Sequence, residues 1–203
     1  MSDMKERILL AALSLFSVDG YEAASVSDIA SRLGITKGAL YKHYKNKQDI
    51  LDSIILRMKQ DDEQQATFCD LPTGTLSESE ESYKAASVEK IIQFGKAQFE
   101  YWTTNDYAGD FRKMLTIEQH RSKEMNSLFQ QYLGTGPLGY VSDLFSSIGI
   151  KEYKELALEL YAPMFFLYSV YDGAENKEYP KKLAAAHFER VAERIFNAAK
   201  KLK

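Results

Sequence analysis

Apolar side chains return every three or four positions along most of this chain and nowhere alternate convincingly with polar ones, which predicts an all-α protein. Ile8, Leu9, Ala12, Leu13 and Phe16 form the first stripe, a helix over about Lys5 to Val18 that Asp19-Gly20 closes. Val26, Ile29, Ala30 and Leu33 form a second, shorter one, with Ser25 placed as N-cap and Asp28 three residues on. Gly34 ends it. After Ile35, Thr36 is placed to cap a third helix from Lys37 to about Tyr44, so two short helices flank a tight glycine-containing turn. That is helix-turn-helix spacing. Asn46 can cap a longer fourth helix, with Leu51, Ile54, Ile55 and Met58 on one face before the polar run Gln60 to Gln65.

The stretch Pro72 to Ser82 has almost no apolar content and reads as an exposed loop. Helical stripes resume with Val88, Ile91, Ile92, Phe99 and Trp102, then Phe111, Met114 and Leu115, then Met125, Leu128, Phe129 and Tyr132. A break at Gly134 to Pro137 precedes a short segment, Leu138 to Ser147. Two long segments, about Lys151 to Asp172 and Lys181 to Lys201, finish the chain.

Composition adds constraints to this pattern. With 203 residues, 45% of them hydrophobic, the chain can bury a core without disulfides or metal. The single Cys69 cannot pair internally and fits a reducing cytosol. No segment reaches eighteen uninterrupted apolar residues and the N-terminus lacks a signal-peptide pattern, so the expectation is a cytoplasmic protein with no membrane partner. The net charge of -3 argues against nonspecific coating of nucleic acid. It is distributed unevenly, at about +2 for the first sixty residues and about -5 for the rest.

The third helix has the chemistry of a DNA-reading element. Thr36, Lys37, Gly38 and Ala39 supply a hydroxyl, a cation and two side chains too small to hold the backbone away from base edges. Tyr41, His43 and Lys47 can donate to phosphate oxygens, as can Ser25 and Ser27 from the second helix. Leu40 and Tyr44 fall on the inward face. The bland alternative is a pair of ordinary N-caps and a solvated basic face.

The stretch Gly20-Tyr21, Ser25-Val26-Ser27-Asp28-Ile29-Ala30, Gly34-Ile35-Thr36-Lys37-Gly38-Ala39-Leu40-Tyr41-Lys42-His43-Tyr44 and Lys47-Gln48-Asp49-Ile50-Leu51 resembles the N-terminal signature of the tetracycline-repressor (TetR) family. The likeness covers roughly the first quarter of the chain; the remainder shares only length and helical content. It implies an N-terminal three-helix DNA-binding domain over residues 1–50 and a helical-bundle ligand-binding and dimerisation domain over 51–203. It also implies a homodimer on double-stranded operator DNA, with repression relieved by a small-molecule effector. The third helix would enter the major groove while Tyr41, His43 and Lys47 hold the backbone. Lys42 departs from the aromatic or histidine common there, and its charge suits a further phosphate contact.

Two expectations concern the second domain. Phe99, Trp102, Phe111, Met114, Met125, Phe129, Tyr132, Tyr161, Met164, Phe165 and Tyr168 are more large side chains than a tight bundle readily interleaves, which predicts an apolar, aromatic ligand cavity. The absence of clustered inward carboxylates or arginines suggests a neutral or weakly polar ligand. The seam Phe188, Val191, Ile195 and Leu202, with Leu167 and Val170 on the preceding helix, predicts a dimer interface. The alternatives are that these residues fill the chain's own core.

Enzymatic signals are absent. Gly134-Thr135-Gly136-Pro137-Leu138-Gly139 satisfies a nucleotide-binding spacing, but no strand precedes it and Pro137 removes an amide donor. His43, His120 and His187 have no ligand partner at metal spacing. The expectation is a regulator rather than an enzyme, with no cofactor or metal. An enzyme or carrier that merely begins with a helix-turn-helix, and an architectural DNA-binding protein without a ligand, remain the rival readings.

Overall fold

A computed structural model describes residues 3–200, and every regular element among them is a helix. In chain order these are α1 (Asp3–Asp19), α2 (Val26–Arg32), α3 (Lys37–Tyr41), α4 (Lys47–Phe68), α5 (Glu80–Lys84), α6 (Val88–Thr104), α7 (Asp106–Glu118), α8 (Lys123–Leu133), α9 (Thr135–Ser147), α10 (Tyr153–Gly173) and α11 (Glu178–Lys200). They form two compact units. One takes the residues up to Asp61 with Asn105–Phe129, the other Asp62–Thr104 with Gln130 onwards.

In the first unit α1 lies between α2 and α7. The stripe of α1 faces inward, and Ile8, Leu9, Leu13 and Phe16 are buried with Ile29, Leu40, Ile50 and Ile54. Each fully buried aliphatic side chain of this kind contributes roughly 1.5–3 kcal/mol. The Phe16 and Tyr21 rings meet edge to face with centroids 5.2 Å apart. On α7 the Tyr107 hydroxyl donates to the Ile54 carbonyl at 2.8 Å, and the Arg57 guanidinium lies 4.2 Å from the Tyr107 ring. Arg57 also pairs with Glu6, tying α4 to α1.

In the second unit α10 packs against α6, α9 and α11, and α11 against α6. Gly95 makes the close approach of α11 possible, since a Cβ there would lie 3.0 Å from the Phe188 ring. The Phe99 and Tyr168 rings stack at 5.8 Å, 11° from parallel. Pro163 inside α10 removes one amide donor from that helix. One turn earlier the Leu160 carbonyl lies 3.1 Å from Nε2 of His187 on α11.

Three boundaries differ from the sequence reading. Helix α3 stops at Tyr41 because the Lys42 and His43 amides bond to the carbonyls three residues back, tightening the last turn. The stretch read as loop ends in the start of α5, which is anchored by buried Tyr83 just beyond it, whose hydroxyl donates to the Gly74 carbonyl at 2.9 Å. The break at Gly134 to Pro137 narrows to Gly134, because Pro137 and likewise Pro180 fall in a first helical turn, where no intrahelical donor is needed.

Candidate nucleic-acid interface and internal cavity

Local hydrogen bonding builds the α2–α3 pair. Ser25 Oγ accepts from the Asp28 amide at 3.2 Å while the Asp28 carboxylate accepts from the Ser25 amide at 2.8 Å, a reciprocal capping box. The Ser25 hydroxyl and amide hold the Asp28 carboxyl below its usual range. At the other end Gly34 takes φ +66°, which a side chain would disfavour. Its amide bonds to the Ser31 carbonyl and that of Ile35 to the Ala30 carbonyl, a Schellman closure. Thr36 Oγ1 then accepts from the Ala39 amide at 3.1 Å and starts α3.

The faces of α3 are sharply divided. Leu40 and Tyr44 are buried, and the Tyr44 hydroxyl donates to the Lys5 carbonyl at 3.2 Å. Thr36, Lys37, Gly38, Tyr41 and Lys42 are exposed, while Ser27, Ala39 and His43 are half-buried. Gly38 is the informative residue: a Cβ built there would meet only Thr36 Oγ1, at 3.8 Å. Nothing within the protein needs glycine at this place, although glycine in a helix costs about 1 kcal/mol relative to alanine. Gly38 leaves the outer face of α3 low.

Two residues expected on that face are otherwise engaged. Ser25 uses its hydroxyl in the capping box. Lys47 Nζ donates to the carbonyls of Tyr21, Glu22 and Ala24 at 2.7, 3.2 and 3.1 Å.

The second unit encloses a cavity of about 590 Å³, large enough for a drug-sized molecule. Of the eleven side chains expected to line a cavity, Trp102, Tyr132, Tyr161, Met164 and Tyr168 do so. Phe99 stands beside it, stacked on Tyr168, and Phe165 points outward at 39% exposure. Phe111, Met114, Met125 and Phe129 are buried in the other unit, away from the cavity, because α7 and most of α8 belong to that unit's core. Helical spacing marks a side chain as inward without saying which interior it enters.

The sequence reading also missed wall residues. Phe94, Gln98 and Tyr140 line the cavity, as do the carboxylates of Asp62, Glu63 and Asp143, so the expectation of no inward carboxylates fails. Asp62 belongs to the polar run of α4, which has no apolar stripe to orient it. Burial pushes its carboxyl up to about 6. The Gln98 amide works the other way, favouring the ionised carboxylate. Gln98 Oε1 instead accepts from Trp102 Nε1 at 2.7 Å. The Tyr140 and Tyr161 hydroxyls donate to the carbonyls of Pro72 and Leu133 at 2.8 and 2.7 Å.

The expected dimer seam lies inside the chain. Leu167, Phe188, Val191 and Ile195 are buried, because α11 turns that row onto α6 and α10, and Val170 is half-buried. Leu202 lies outside the described residues. The apolar face left open on α10 consists of Leu158, Ala162, Phe165 and Phe166, spaced as one stripe.

A capped pair of short helices with a low, basic outer face, together with a helical unit that holds a cavity, defines the class of helix-turn-helix proteins with a separate helical domain. Residues 8–54 match the family described as bacterial regulatory proteins, tetR family. The HTH-type transcriptional regulator YerO of Bacillus subtilis (strain 168) is 43% identical over 51 residues, 25% of this chain and 18% of YerO. This chain therefore spans only a small part of that relative's length. Over nearly the whole length, the fold matches a bacterial regulatory protein in the tetR family from Rhodococcus RHA1, with TM-score 0.66, 19% identity, and 96% and 98% of the two chains covered. It also matches SmeT, described as the repressor of the Stenotrophomonas maltophilia multidrug efflux pump SmeDEF, with TM-score 0.62, 19% identity, and 95% and 90% covered. A structure of the SmeT–triclosan complex matches with TM-score 0.65 at 17% identity, with 94% and 90% covered. Residues 8–54 thus carry a tetR-family N-terminal domain, and the whole chain shares the fold of these structures. None of its described helices is long and apolar enough to cross a membrane.

Proposed function

We propose that the protein is a cytoplasmic DNA-binding transcriptional regulator that holds a two-fold symmetric operator as a homodimer and releases it when a small, largely apolar molecule fills the cavity. The observation that carries the DNA reading is Gly38, a helix-weakening residue for which the protein itself has no steric use, set among exposed Thr36, Lys37, Tyr41 and Lys42. In this reading Thr36 to Ala39 approach base edges, and Tyr41, Lys42, His43 and Ser27 meet phosphates. Ser25 and Lys47 hold the head in shape. The description of SmeT as a repressor supports repression as the mode of action.

A second copy of the chain is the natural cover for the α10 stripe. Phe166 is 66% exposed and Leu158 53%, and an apolar row of this kind on a long helix fits a two-fold helix-to-helix contact. Coupling runs through α4, one unbroken helix that begins in the reading unit and supplies Asp62, Glu63 and Ala66 to the cavity wall. A ligand that prefers one placement of α4 shifts the spacing of two recognition helices and hence operator affinity.

Selection of duplexes from a random pool by the full chain tests this reading. The expected product is an inverted repeat whose half-sites lie about one helical turn apart or a multiple of it. Recovery of no symmetric motif contradicts the proposal.

A further inference from the structure

Resting on the reading of the cavity as an effector site, we infer that its ligand is a hydrophobic organic cation and that Asp62 is the counter-ion. The wall combines aromatic faces, including Phe94, Trp102, Tyr140 and Tyr161, with carboxylates, and it contains no lysine, arginine or histidine among the described residues. Aromatic faces carry negative quadrupole potential and attract cations, most strongly where water is excluded. A fatty acid or another anion meets the opposite field.

Asp62 is the residue that needs explaining. An ionised carboxylate deprived of water is costly unless paired with a cation and hydrogen-bonded. The groups facing it supply no positive charge. Glu63 on its own helix and Asp143 on α9 are acidic, and Gln98 is neutral. The Tyr140 and Tyr161 hydroxyls are directed at the backbone carbonyls of Pro72 and Leu133 rather than at the carboxylate. Burial, reinforced by the negative field of Asp62 and Glu63, raises the Tyr132 hydroxyl to about 12. The Gln98 side chain, only 7% exposed, also lines the cavity, and its amide favours the ionised form of Asp62. A lipophilic cation with an aromatic or alkyl body thus satisfies wall and carboxylate together.

Equilibrium binding to the full chain with three probes tests the inference: tetraphenylphosphonium as permanent cation, N-phenyl-1-naphthylamine as neutral probe and laurate as anion. Trp102 fluorescence and dialysis provide the readouts. The cation is expected to bind in preference to laurate, with affinity rising roughly tenfold between pH 5 and pH 7.5 as Asp62 ionises. Asp62→Asn is expected to weaken the cation at least about tenfold and to flatten the pH profile. Retained binding of the neutral probe shows that this variant is folded, and Asp62→Glu is expected to restore most of the cation affinity. If the neutral probe or laurate binds and the cation does not, or Asp62→Asn binds the cation normally, the cation inference is overturned and the effector cavity stands. If none of the three binds, the cavity reading falls with it.

Discussion

The ammonium of Lys47 lies 4.4 Å from the centre of the Tyr21 ring and 2.7 Å from the same residue's carbonyl oxygen. With its bonds to the Glu22 and Ala24 carbonyls, it pins the start of α4 onto the segment between α1 and α2. Lys47→Met is therefore expected to lower unfolding free energy by about 1–3 kcal/mol, the range for hydrogen bonds to a charged group. Denaturant titration measures this. The salt slope of DNA binding, taken well below the midpoint, stays as in the wild type. Unchanged stability with a slope smaller by about one assigns Lys47 to a phosphate instead.

Gly38→Ala separates fold from function. Its Cβ meets nothing closer than 3.8 Å, so the variant is expected to gain about 0.5–1 kcal/mol of stability. Operator affinity, read by fluorescence anisotropy, falls because the methyl group enters the space kept for DNA. A variant both more stable and equally tight on DNA removes the main argument for that face.

The α10 stripe and the α11 row predict opposite consequences for the same charge. Phe166→Glu changes a 66% exposed position and is expected to give a folded monomer by sedimentation, with loss of operator binding. Ile195→Glu buries a carboxylate at a fully buried position and is expected to unfold the chain. A folded dimer with Phe166→Glu contradicts the placement of the interface.

Asp62 makes the empty protein's stability depend on pH. Its carboxyl moves from 3.8 to about 6, mainly through burial, so between about pH 4 and pH 6 the folded state holds a proton that the unfolded state has lost. Stability therefore decreases as pH rises through that window. Asp62→Asn removes the penalty and is expected to stabilise the empty protein at pH 7.5 by on the order of 1–2 kcal/mol, with no difference at pH 3. Thermal melts at the two pH values compare the variants. A variant less stable at pH 7.5 contradicts a desolvated carboxylate.

The reading head was legible because its determinants are local. Ser25, Asp28, Gly34 and Thr36 act within a few residues, and the structure returns the caps and the turn that their spacing predicts. The cavity was legible only in kind. Phe111 and Trp102 have the same helical signature, yet one enters the core of the first unit and the other the cavity wall of the second. Asp62 lacked any signal, since inward polar residues resemble solvated ones until tertiary packing surrounds them. The seam on α11 was misplaced for a related reason. Periodicity in Phe188, Val191 and Ile195 reports a buried face without naming the partner, and Gly95 lets the chain's own α6 take that place.

Anisotropy titration of the duplex enriched by selection, repeated against a scrambled duplex and across salt, tests the central claim most directly. The account predicts affinity for the enriched duplex at least about a thousandfold above that for the scrambled one, with a steep loss on adding salt. It also predicts at least tenfold weakening when a cavity ligand saturates Trp102 fluorescence. Equal affinity for the two duplexes, or an enriched duplex held unchanged by a protein whose cavity is filled, contradicts it.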